Sequence, residues 1–72
     1  MPLLYSSKWI VRVLEQHGFV FVSQKGSHAK FRTSGINVAT VIVPMGKKEI
    51  PVGTFRSIVR QSGLTLEDFK KL

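Results

Sequence analysis

The hydrophobic pattern of this chain changes period at Gly18 and changes back after Pro51, and those two switches limit the folds open to it. Between Ser7 and His17, Trp9, Ile10, Val13 and Leu14 share one broad face of a 3.6-residue wheel, with Lys8, Arg12, Glu15 and Gln16 on the other. This predicts an amphipathic helix, with Ser6 and Ser7 as candidate N-caps and Gly18 as its left-handed stop. His17 falls in the apolar arc of the last turn, where packing or capping the final carbonyls is its expected task. Beyond Gly18 the pattern becomes β-rich. A strand is expected over Phe19-Val20-Phe21-Val22, then a turn at Ser23-Gln24-Lys25-Gly26. A second strand follows, about Ser27 to Thr33, then a turn through Gly35 and a third strand, about Val38 to Val43, ended by Pro44. The helical period returns over about Gly53 to Ser62, with Phe55, Ile58 and Val59 as the apolar stripe and Gly63 as the stop. Thr65 caps a last short helix, with Asp68 three residues on as a variant capping box and Leu64 and Phe69 as its staple. The order α-β-β-β-α-(α) with short connections implies an α+β sandwich of two layers, its three-stranded antiparallel sheet packed on helices.

Length and composition narrow the function. A chain of 72 residues makes one small domain, residues 1–72, with a thin stability margin. It has no cysteine, which excludes disulfides and thiolate metal sites. No stretch approaches a membrane span, and Met1-Pro2-Leu3-Leu4-Tyr5 does not read as a secretion signal, so a cytoplasmic protein is expected. Eleven Lys and Arg against four Asp and Glu leave a net charge of +7. Such a chain favours polyanions. The bias is local too: Phe19 to Lys48 holds five cations and no acid.

The segment Gly26-Ser27-His28-Ala29-Lys30-Phe31 carries the chemistry. It places a histidine just after a tight turn, among Lys25, Lys30 and Arg32. Strand alternation puts Ala29 and Phe31 on one face and His28, Lys30 and Arg32 on the other. With Phe31 in the core, the other three point away from the helices. Histidine both takes and gives a proton near neutral pH, and cations around it attract phosphate. An ordinary solvated strand face has the same pattern. Strands one and three are apolar on both faces, so the open face is expected to show branched side chains that a partner protein or a second copy covers. Arg56 and Arg60 are i, i+4 neighbours and suit either phosphate or solvent.

Gly18-Phe19, Gly26-Ser27-His28 with Phe31, Val41-Ile42-Val43-Pro44, Gly53-Thr54-Phe55-Arg56-Ser57-Ile58 and Gln61-Ser62-Gly63-Leu64 together resemble the HicA toxin family over nearly the whole chain. The resemblance implies a fold like the double-stranded-RNA-binding domain and a small ribonuclease of a bacterial toxin–antitoxin system. It implies metal-free cleavage of mRNA and neutralisation by a HicB-type antitoxin. The family's catalytic histidine maps onto His28, preceded by Gly26 and Ser27. Many members carry a second histidine shortly after the proline that ends strand three. Here Pro44 is followed by Met45, Gly46 and Lys47, so another group must take any such role.

The chemistry also stands on its own. Internal attack in RNA needs the 2′-OH deprotonated, the phosphorane stabilised and the 5′-oxygen protonated. His28 serves as the base, a role worth about 10²–10⁴-fold. Lys25, Lys30 or the amides of the Gly26 turn stabilise the phosphorane. Ser27, Arg32, Lys47 and Lys48 complete the expected phosphate-binding set. The general acid is not evident. No acidic pair lies near the site, which argues against a two-metal nuclease, and two histidines without cysteine argue against zinc. No cofactor is called for. The rival is a non-catalytic RNA-binding module of the same fold. Against it, Gly53-Thr54-Phe55-Arg56 offers one cation where such modules carry a lysine cluster, and the domain is small for the roughly 16 base pairs they span. A third alternative is an interaction protein whose cations dock an acidic partner.

Overall fold

The computed structural model describes residues 4–71. Met1, Pro2 and Leu3, the start of the segment read above as no secretion signal, lie outside the described residues, as does Leu72. The elements are α1 (Ser7–Gln16), β1 (Val20–Lys25), β2 (His28–Arg32), β3 (Thr40–Pro44), α2 (Val52–Ser62) and α3 (Leu66–Lys70). The expected α+β order is present.

Local chemistry sets the ends of α1. The Ser6 hydroxyl accepts from the Trp9 N–H at 3.1 Å, satisfying one of the first-turn donors. At the other end Gly18 adopts φ 87°. Its N–H reaches the Glu15 carbonyl at 3.2 Å and the Phe19 N–H reaches the Leu14 carbonyl at 3.0 Å. This is the paired Schellman closure, and Phe19 turns into the core beside Leu14. His17 caps but does not pack: it is exposed, and its Nδ1 lies 2.9 Å from the Val13 carbonyl.

The sheet is antiparallel, in the order β1-β2-β3. β1 runs on to Lys25 instead of ending at Val22, because ladder pairing with β2 carries the polar Ser23, Gln24 and Lys25. The turn therefore shrinks to two residues, Gly26 and Ser27. Gly26 takes φ 59° and no other residue type in the described chain has a positive φ. Glycine at the first central position of a two-residue hairpin is the type II′ arrangement. A bulge lies between Phe21 and Ser23. β3 starts at Thr40, later than expected: the Ala39 N–H goes to the Thr33 hydroxyl at 2.8 Å instead of the Thr33 carbonyl, which ends the ladder before Val38.

The core is built from one side of this sheet. Ile10, Val13 and Leu14 of α1 meet Ala29 and Phe31 of β2, Val41 and Val43 of β3, Ile50, Ile58 and Phe69. The two long helices lie over β3. The outer edge of β3 is closed by α2, whose Gln61 accepts from the Ile42 N–H at 3.1 Å. β1 is the uncovered edge, and all six of its residues are exposed. Phe21, on the core side, stays 55% exposed and meets the Phe31 ring edge-on at 5.9 Å. The expected apolar patch is thus concentrated on Val20, Phe21 and Val22 of β1 and on Val38, while Ile42 is half-buried.

Two polar devices lock the layers. Ser7 is 2% exposed, and its hydroxyl donates to the Pro44 carbonyl at 2.6 Å and accepts from the Lys47 N–H at 3.0 Å. The Ser7 N–H reaches the Lys47 carbonyl at 2.9 Å. At the C-terminal end the capping box forms: the Thr65 N–H donates to Asp68 Oδ2 at 2.9 Å and the Asp68 N–H to the Thr65 hydroxyl at 3.3 Å. The Trp9 indole N–H bonds the Phe69 carbonyl at 2.7 Å, docking α3 on α1.

Replacing Ser7 by Ala removes a donor and an acceptor and strands the Lys47 N–H. Urea denaturation is expected to show a loss of about 1–3 kcal/mol. Asp68 gives a pH prediction. The Thr65 backbone N–H, then the Thr65 hydroxyl, hold its carboxyl below the ordinary value, with His17 adding a smaller attraction. A folded-state pKa lowered in this way supplies stability that is present above about pH 4 and lost on acidification through the folded value. Asp68→Asn should therefore lower stability at neutral pH and flatten the fall in denaturation midpoint below about pH 4.

Candidate active site

β2 is the central strand, and its exposure runs exposed, buried, half-buried, buried, exposed from His28 to Arg32. Ala29 and Phe31 sit in the core at 1% and 2% exposure. His28, Lys30 and Arg32 consequently stand on the face opposite the helices, as the alternation predicts. The register supplies their neighbours. Lys25 and Pro44 flank His28, Ser23 and Ile42 flank Lys30, and Val20 and Thr40 flank Arg32. Directly opposed side chains have Cβ atoms about 4.5–5.5 Å apart. Lys25 is therefore the cation beside His28. Lys30 lies two residues along the same face, about 7 Å away, and Arg32 about 14 Å away at the far end of the strand.

The hairpin holds His28 at the mouth of the sheet. The Gln24 amide donates to the Gly26 carbonyl at 3.0 Å. The Ser27 carbonyl accepts from the Met45 N–H at 2.6 Å, tying the turn to the segment after β3. Lys47 and Lys48 follow three and four residues after Pro44, on an exposed loop fixed to α1 through Ser7. The predicted residues thus form two neighbouring groups. Lys25, Gly26, Ser27, His28 and Lys30 are together at the hairpin end. Lys47 and Lys48 lie past Pro44. Arg32 belongs to neither group.

His17 plays no part there. Ser7 places the start of α1 against Pro44, and His17 follows the end of that ten-residue helix, about 15 Å along its axis. It faces Asp68, with Nε2 3.7 Å from Oδ1. Among the described residues, Lys25, Lys30, Arg32, Lys47 and Lys48 make no ion pair. No group of three or more potential metal-ligating side chains converges among the described residues either. Sequence reasoning missed Pro44 as the direct neighbour of His28 and Ser7 as the residue that anchors the lysine loop. The pairing of strand ends carried the first signal; the second was hidden, since a serine before a helix ordinarily reads as a cap.

The arrangement can present an imidazole and unpaired cations to a phosphodiester from one side. A family model described as HicA toxin of bacterial toxin-antitoxin matches residues 7–64. The chain belongs to the HicA toxin family. The matched span takes in α1, the whole sheet and α2, and with them every residue of both groups. No curated protein matches the chain. None of the described helices is long and apolar enough to cross a membrane.

Because His28 is exposed and lies outside the core cluster, His28→Ala should leave the fold intact. Its unfolding free energy is expected within about 0.5 kcal/mol of the unsubstituted protein in urea. A larger loss would mean that the ring is a structural member of the sheet.

Proposed function

We propose that this HicA-family toxin is an endoribonuclease that cleaves mRNA without a metal, with His28 as general acid and base. The observation that carries the proposal is the exposure of His28 on a cationic, acid-free face while its neighbour Ala29 is sealed in the core. In this scheme the imidazole removes the proton of a ribose 2′-OH. The 2′-oxygen attacks the adjacent phosphorus, and Lys25, Lys30 and the amides of the Gly26-Ser27 turn neutralise the phosphorane as charge builds. The bond to the 5′-oxygen breaks, and that oxygen takes a proton from the imidazolium or from water. The products are a 2′,3′-cyclic phosphate and a free 5′-hydroxyl. Lys47 and Lys48, past Pro44, bind flanking phosphates.

The toxin acts in the cytoplasm and is held inactive by a HicB-type antitoxin. The exposed Val20, Phe21 and Val22 on the free β1 edge suit such a protein partner, since unpaired strand edges invite strand addition. A second copy on the same edge has to overcome repulsion between two chains of net charge +7. The non-catalytic alternative is disfavoured by α2, whose first five residues carry a single cation, Arg56.

A labelled transcript incubated with purified protein tests the scheme. His28→Ala is expected to slow cleavage by about 10²–10⁴-fold. Cyclic-phosphate ends and indifference to EDTA are expected of the unsubstituted protein. Wild-type cutting by the variant would remove His28 from the mechanism, and an intact, gel-shifted transcript would favour the binding module.

A further inference from the structure

The concave surface beyond Pro44 extends well past the two lysines assigned above to flanking phosphates. A cavity of about 330 Å³ opens between the start of α1 and the loop after β3, and Lys8, Lys47 and Lys48 line it. A second, shallower one of about 410 Å³ is lined by Tyr5, Trp9, Lys48 and Lys70. Ser6 and Lys48 border both, so the two form one groove. Among the described residues Lys8, Lys47 and Lys48 have no acidic partner, and Lys70 meets only the exposed Glu67, at 3.3 Å. The end of α1 contributes little of this positive potential, because the Ser7 N–H is taken by the Lys47 carbonyl and the Trp9 N–H by Ser6. The lysines are the anion attractors.

The far end of the groove is aromatic. Tyr5 and Trp9 stack with centroids 6.3 Å apart and planes 12° from parallel. The bond from the indole N–H to the Phe69 carbonyl fixes the Trp9 ring, and both aromatics remain half-exposed. Cations that run on to a fixed aromatic surface suit a single strand of nucleic acid, the first holding phosphates and the second bases. An acidic peptide uses the lysines but leaves the rings idle. The near end of the groove lies just past the Pro44 end of β3, at the end of the sheet where His28 stands. Pro44 is the register partner of His28, and Lys47 follows three residues later, within about 11 Å along the chain.

We propose that this groove is a track for single-stranded RNA, leading from His28 past the start of α1 to the Tyr5–Trp9 platform. Lys8, Lys47 and Lys48 hold successive phosphates, and Trp9 stacks on a base away from the scissile bond. The proposal rests on the ribonuclease scheme for the direction of the strand and adds a binding site remote from the bond that is cut.

Trp9 is the chain's single tryptophan, so its emission reports on the platform directly. The probe is a 2′-O-methyl oligoribonucleotide of about ten nucleotides, which lacks the attacking hydroxyl and stays whole. Its binding should quench Trp9 in the unsubstituted protein and in His28→Ala alike. Lys8→Ala/Lys48→Ala, two exposed positions, should weaken binding about tenfold and reduce the salt slope by about 1.4, the value for two single-strand phosphate contacts. On cleavable RNA the same variant should raise KM for long substrates more than it raises KM for a trinucleotide. Binding without quenching, or wild-type affinity in the double variant, would overturn the track. So would equal quenching by poly-glutamate, which would assign the groove to an acidic protein. The two proposals fail separately. Quenching without any cleavage refutes the nuclease and keeps the track; cleavage that depends on His28 without quenching does the reverse.

Discussion

The seating of Ala29 and Phe31 in the core sets the side on which everything else in this protein stands. β2 is the middle strand, so its two buried side chains are held from both flanks, Phe31 between Phe21 and Val41 and Ala29 between Gln24 and Val43. Burying a phenylalanine contributes about 1.5–3 kcal/mol, and a slip of one residue in register expels it and turns His28 inward. The two-residue turn at Gly26-Ser27 pins that register from the hairpin end. Exposure of the imidazole is therefore enforced by packing on the opposite face of the same strand. The chemistry proposed for His28 needs no special stabilisation of its own.

A second constraint joins this strand face to the rest of the surface. Gly46, Lys47, Lys48 and Glu49 are exposed and bring no apolar anchor of their own. They are held between Met45 and Ile50, which pack on the core, and by the buried Ser7, which engages both the Pro44 carbonyl and the Lys47 amide. The hydroxyl is in effect the hinge pin between the end of β3 and the start of α1. Its partners lie 37 and 40 residues away in sequence. Thus a core contact determines where three of the surface lysines gather, past Pro44 at the end of the sheet where His28 stands. The neighbouring bond from Trp9 to Phe69 acts alike, orienting a ring at the surface by tying its nitrogen to a third helix.

What was legible in the sequence was what local chemistry decides. The Ser6 cap, the Gly18 stop, the Thr65–Asp68 box and the alternation from His28 to Arg32 each depend on residues within a few positions of one another, and each is present. The errors fall where pairing across the chain overrides propensity. Ser23, Gln24 and Lys25 look like a turn, but the ladder with β2 satisfies their backbone and carries the strand to Lys25. Val38 looks like strand, but the Thr33 hydroxyl takes the Ala39 N–H and ends the ladder before it. His17 sits in the apolar arc of its helix wheel yet stays at the surface, because its ring bonds back to Val13 and faces Asp68. Charge alone located Lys47 and Lys48 without showing that the loop curls back to α1. Trp9 was legible only as a core residue, since its half-exposed edge depends on where α3 docks.

Size explains why the molecule is so one-sided. A three-stranded sheet in a chain of 72 residues has enough helix to cover one face and one edge, and both long helices gather over β3. Gln61 completes that edge by taking up the Ile42 amide. The same distribution leaves β1 uncovered and keeps the opposite face of β2 free of apolar demand, which is where His28, Lys30 and Arg32 stand. A further helical layer would protect Val20 and Val22, enlarge a thin core and raise stability. It would also bury the histidine among unpaired cations, whose desolvation would outweigh the gain. The exposed apolar edge and the accessible imidazole are thus two consequences of one packing choice. A protein that covers the edge therefore comes within reach of the face that carries His28.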